Sequence, residues 1–138
     1  MISNSQAIGF SVEMNEGFES TIEKVVEALK VEGFGVLTEI DVKSTLKKKL
    51  DVNFQPYQIL GACNPPLAYE ALKIAPHVGL LLPCNVIVHQ LNEDTVKVSF
   101  IDPVLMMEVA AEPALRPVAE DAKERLLRVK ASLEEEIA

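Results

Sequence analysis

Cysteine and histidine are scarce in this chain, with two of each among 138 residues. Two cysteines are too few for the disulfide framework of a small secreted domain. Basic residues are short as well: 13 stand against 21 acidic ones, giving a formal charge of -8. Such a surface repels phosphate backbones and anionic lipid, so neither a nucleic acid nor a membrane is expected as a partner. No run approaches the ~18 apolar residues of a membrane helix, and Met1 to Phe10 has neither the basic start nor the roughly 7–15-residue apolar stretch of a secretory signal. A cytoplasmic location is expected, where the cysteines remain thiols or metal ligands. Also missing are the Gly-x-Gly-x-x-Gly and Walker loops, the Gly-x-Ser-x-Gly elbow and the His-Glu-x-x-His helix, which withdraws the common nucleotide-binding, hydrolase and metalloprotease readings.

What is present is ordinary for a folded domain: 49% hydrophobic and 25% charged residues exclude disorder and collagen-like repetition. No linker, composition shift or repeat interrupts residues 1–138, which read as one domain. From Ala7 to Met14 a period-two series, Ile8/Phe10/Val12/Met14, predicts a strand with one buried face. Asn15 is placed to cap an amphipathic helix on which Phe18, Ile22, Val25, Val26 and Leu29 recur at helical spacing, and Gly33 is placed to close it. Phe34 to Ile40 reads as a second strand. Asp41 then caps a short helix through Leu50, whose Lys47, Lys48 and Lys49 meet the negative end of the helix dipole.

Tyr57 to Cys63 predicts a third strand, and Asn64-Pro65 opens a helix striped with Leu67, Ala68, Ala71 and Leu72 that stops at Pro76. His77 to Leu82 fits neither helix nor strand clearly. Cys84 to Leu91 and Thr95 to Ile101, joined by Asn92-Glu93-Asp94, predict an antiparallel hairpin. Asp102-Pro103 repeats the capping grammar ahead of Leu105, Met106 and Met107. A last helix is expected after Pro113 and Pro117. Its apolar residues Ala119, Ala122, Leu126, Val129 and Leu133 form one stripe, more readily laid on its own sheet than on a second chain, and Asp121/Arg125 and Glu124/Arg128 are spaced for ion pairs. The expected fold is α+β, with a mixed, mostly antiparallel sheet of about five strands and helices chiefly on one face.

One constellation carries chemistry. Cys63-Asn64-Pro65 ends a strand and Pro83-Cys84-Asn85 begins another, so the Cys-Asn dipeptide occurs twice with a proline beside each copy. If the chain between them returns antiparallel, both copies reach the same end of the sheet and their thiols and carboxamides border one pocket, with the soft sulfurs of Met106 and Met107 as further lining. Thiolate sulfur suits zinc or cuprous copper, but two thiols do not complete a zinc site. His77 is the better placed imidazole to join Cys63 and Cys84, since His89 lies five residues from Cys84 and points to the opposite face of a regular strand. The competing account makes both cysteines small buried hydrophobes and Asn64 a helix cap. Asp41 and Asp102 precede helices, where capping explains them better than acid-base chemistry, and Glu134 to Glu136 reads as a solvated helix end.

Gly33-Phe34-Gly35-Val36-Leu37-Thr38-Glu39-Ile40-Asp41-Val42, Tyr57-Gln58-Ile59-Leu60-Gly61-Ala62-Cys63-Asn64-Pro65-Pro66-Leu67-Ala68 and Leu81-Leu82-Pro83-Cys84-Asn85-Val86 carry a family likeness. In these three motifs, and in their order, the chain resembles the domain-of-unknown-function 302 family. The resemblance implies a small prokaryotic α+β domain that self-associates as a homodimer. It brings no activity, so it adds weight to Cys63, Asn64, Cys84 and Asn85 without giving them a task. Three functional expectations follow: a module binding a small ligand or soft metal at the Cys-Asn pocket; a thiol enzyme using Cys63 or Cys84 as nucleophile or redox group; and a homo-oligomeric assembly piece with no pocket.

Overall fold

The computed structural model describes residues 8–137. The order of elements is β1 (Gly9–Met14), α1 (Phe18–Val31), β2 (Gly35–Asp41), α2 (Val42–Leu50), β3 (Tyr57–Cys63), α3 (Pro65–Ile74), a 3₁₀ segment (Pro76–Leu81), β4 (Cys84–Gln90), β5 (Val96–Ile101), α4 (Pro103–Ala110), a 3₁₀ turn (Pro113–Leu115) and α5 (Arg116–Ile137). The ambiguous stretch after Pro76 is thus 3₁₀, with Pro76 at its first turn and only Val78 buried. Ala7, expected in the first strand, lies outside the described residues. Ile8, the first member of the period-two series, precedes the strand and is exposed.

The strands form one sheet in the order β1-β5-β4-β3-β2. Every pairing is antiparallel, and no parallel pair contributes to the sheet among the described residues. Because direction alternates at each step, β1 and β2 run the same way at opposite edges, and α1 must cross the whole sheet to join them. Alternation along the strands puts Val12 and Met14, Val96 and Val98, Val86 and Val88, and Leu60 and Ala62 on one face. Ile22, Val25 and Leu29 of α1 and Leu126, Val129 and Leu133 of α5 close that face into the main core. The α5 stripe is therefore covered by its own sheet. A second, smaller cluster, built on Ala71, Ala75, Val78, Met107, Leu115 and Ala119, joins α3, α4 and the start of α5.

Local chemistry explains the helix ends, with three departures from the sequence expectation. Asn15 does not cap α1; Gly17 does, in extended conformation and without a side-chain bond, because the chain turns helical only at Phe18. At the other end Gly33 has φ +86°, and the Phe34 N–H reaches back to the Leu29 carbonyl at 2.9 Å, a closure that favours glycine. Helix α5 starts at Arg116, so Pro117 sits in its first turn, where a missing N–H is harmless. Asp121 and Arg125 pair at 2.8 Å as expected, whereas Arg128 pairs with Glu32 at 2.9 Å rather than with Glu124, because the end of α1 lies beside it.

Candidate functional site

The antiparallel return of β3 through α3 into β4 sets Ala62 opposite Cys84 and Gly61 opposite Asn85. Both Cys-Asn dipeptides consequently lie at the same end of the sheet. Next to them, at the junction of the two apolar clusters, is a cavity of about 330 Å³. Cys63, Asn64 and Cys84 border it together with Met106 and Met107 of α4, so five of the six pocket residues expected from sequence line one space. Asn85 does not. The pleat carries it to the sheet face away from the helices, where it is exposed.

Alanines make the space. Ala62 of β3, Ala68 and Ala71 of α3, and Ala119 and Ala122 of α5 face it where larger side chains would fill the junction. Leu67, Leu115 and Phe34 add apolar wall. The lining grades from fully buried residues such as Ala62 to Leu37 and Leu72, which are 68% and 40% exposed, so the cavity opens to solvent. The sequence registered most of these positions as ordinary apolar stripes. A usable signal was there in Ala68/Ala71 and Ala119/Ala122, two pairs of small residues on stripes that meet.

Among the described residues no charged side chain lines the cavity. Its one carboxamide among the described residues, that of Asn64, is 7% exposed, and both its nitrogen and its oxygen are hydrogen-bonded within the fold. Oδ1 accepts the Leu67 N–H at 3.3 Å, capping α3, and Nδ2 donates to the Glu32 carbonyl at the end of α1 at 3.2 Å. Arg125 donates to the same carbonyl at 3.1 Å while its Nε holds Asp121. Asn64 is thus a cap and a clamp at once. The clamp also explains why residue 33 has no side chain: a Cβ there would come within 3.0 Å of Asn64 Nδ2.

The two thiols differ in setting. Cys84 shares the helix-covered face with Ala62 and is buried, whereas Cys63, at the end of β3 and one residue beyond its last pairing with β4, is half-buried. Both are free. Burial pushes the Cys84 thiol up to about 11, and the neighbouring Cys63 adds to the effect, so at neutral pH Cys84 carries its proton. A protonated, buried thiol is a poor nucleophile.

The remaining candidates stand elsewhere. His77 is exposed on the 3₁₀ segment and does not line the cavity. His89 packs against Tyr57 with ring centroids 5.2 Å apart, and burial, assisted by Lys97, holds its pKa below the usual imidazole value. Among the described residues no three His, Cys, Asp or Glu side chains gather to hold a metal. Asp41 accepts the Ser44 N–H at 2.9 Å and the Ser44 hydroxyl at 3.0 Å, and these bonds lower its pKa. Asp102 caps Val104 and pairs with Lys123 at 3.0 Å. Strand directions put these two acids at opposite ends of the sheet.

A family model described as "Domain of unknown function DUF302" matches residues 10–133. Curated proteins give no match. Among solved structures, the crystal structure of an uncharacterized conserved DUF302 protein from Bacillus stearothermophilus is similar, with a TM-score of 0.82 and 34% identity over 90% of this chain and 96% of that one.

Proposed function

The chain belongs to the DUF302 family, and from that premise we propose that it is a binding module whose ligand is a small, uncharged, largely apolar molecule held in the cavity at the Cys-Asn end of the sheet. One observation carries this reading: the space is open to solvent, yet its walls offer no charge and its single carboxamide is already committed to Leu67 and Glu32. A buried ion or an unpaired polar group would be strongly disfavoured there, whereas apolar surface gains roughly 25 cal/mol per Å² removed from water. A ligand burying about 200 Å² would gain about 5 kcal/mol before the cost of association.

Readings in which the thiols do chemistry have less support. A nucleophile needs thiolate, which the apolar surroundings of Cys84 oppose, and among the described residues no third His, Cys, Asp or Glu joins the two thiols to complete a metal site. Metal analysis of protein purified without chelator, repeated on Cys63→Ser and Cys84→Ser, tests that alternative, for which thiol-dependent stoichiometric metal is the required result.

The binding reading is tested by melting the protein in buffer saturated with decalin, a neutral bicyclic hydrocarbon, and in buffer containing the charged 1-naphthoate. Decalin is expected to raise the melting temperature and 1-naphthoate to leave it unchanged. Ala122→Leu, which narrows the cavity, should weaken the decalin effect. Absence of a shift in the native chain with decalin and with naphthalene alike, or an equal decalin shift in a folded Ala122→Leu, overturns the reading.

A further inference from the structure

Among the described residues, both cysteines and two of the three methionines line this one cavity. Cys63 and Cys84 come from the sheet, Met106 and Met107 from α4, a helix whose first five residues are all apolar. Sulfur is more polarizable than carbon and favours contact with aromatic rings, particularly at the ring edge, over contact with saturated hydrocarbon. Elsewhere the lining is aliphatic, Phe34 being its one aromatic ring. The methionines are also adaptable, since three rotatable bonds let a thioether follow the outline of a flat guest. Size sets the scale. A cavity of about 150 Å³ takes up benzene, and this one is about 330 Å³, room for two fused rings.

We infer that the cavity selects a flat, neutral aromatic ligand of about two fused rings over a saturated molecule of the same skeleton, and that the thioethers of Met106 and Met107 supply the preference. This rests on the binding reading above and narrows it to a ligand class. Each sulfur–ring contact is worth roughly two- to tenfold in affinity, so two of them predict a preference on the order of tenfold.

The experiment compares naphthalene with decalin, two ten-carbon bicyclic hydrocarbons that differ in their π system, by equilibrium partitioning into protein solution. Three proteins are used: the native chain, Met106→Leu, and Met106→Leu/Met107→Leu. Leucine conserves volume and hydrophobicity while removing sulfur. The expected result is naphthalene bound about tenfold more tightly by the native chain, the advantage shrinking stepwise in the two variants while decalin binding is kept. Met106 is only half-buried, so Met106→Leu alone remains informative should the double variant fold poorly. Equal binding of both hydrocarbons by the native chain, or an undiminished preference in folded Met106→Leu and the double variant, overturns the inference and leaves the binding reading standing. Binding of neither hydrocarbon removes both.

Discussion

At the scale of single residues the most informative position is Asn64, because its two amide atoms serve two different elements. Asn64→Ala should destabilise the protein by about 1–2 kcal/mol through loss of the α3 cap alone, with the lost bond to the Glu32 carbonyl adding to it. Asn64→Asp separates the roles. Aspartate caps as well as asparagine, but it would set a carboxylate against the Glu32 carbonyl, so chemical denaturation should show a clear loss in this variant too. A residue acting only as a cap would show none. Cys84 gives a pH signature. Its thiol is raised from an ordinary value of 9.0 to about 11 in the folded state, so between these values the unfolded chain releases a proton that the folded one retains. Stability from this group is full below pH 9 and declines as pH rises towards 11, by roughly 2–3 kcal/mol. The loss is measured as the difference between native protein and Cys84→Ala across that window, since lysines and tyrosines titrate there as well.

Among the elements, α2 stands apart. It carries four of the chain's 13 basic residues and no acid, and it buries no residue at all. Its stability comes from Asp41 at one end and from Lys47, Lys48 and Lys49 against the dipole at the other, contributions of about 1 kcal/mol or less each. Helix α5, by contrast, buries Leu126, Val129 and Leu133 in the main core. Hydrogen exchange should therefore find the α2 amides opening well below the global unfolding energy, while those around Leu126 exchange only on complete unfolding. Equal protection of the two helices would contradict this account of what holds α2 in place. The strand-helix junctions were legible beforehand because capping is local: Asp41, Asn64 and Asp102 each accept a backbone N–H within three residues. Asn15 has the side chain of a cap, but the chain bends at Asn15 and Glu16 and turns helical only after Gly17, two residues further on.

For the whole molecule, the question is what the apolar stripe of α5 faces. Leu126 is completely buried within the chain itself, so Leu126→Glu places a carboxylate in the core and should cost more than about 3 kcal/mol. Circular dichroism is expected to show a chain that no longer folds. A seam between two copies would instead leave a folded monomer. The homodimer implied by the family likeness would therefore use other surface. The sheet face turned away from α1 and α5 is one such surface, and sedimentation of the native protein would decide whether it is used.

Local patterning along the chain sets the alternation of buried and exposed positions, most element boundaries, the hairpin of β4 and β5, and the three aspartate and asparagine caps, because each depends on residues a few positions apart. It also singled out the doubled Cys-Asn dipeptide. Long-range packing sets the rest: that β3 and β4 run antiparallel and bring those dipeptides to one end of the sheet, that Asn85 faces away, and that Asn64 bonds both Glu32 and Leu67. It alone revealed a cavity, since an empty space arises where alanines from three separate elements meet, and no single stretch of chain records what its neighbours leave unfilled.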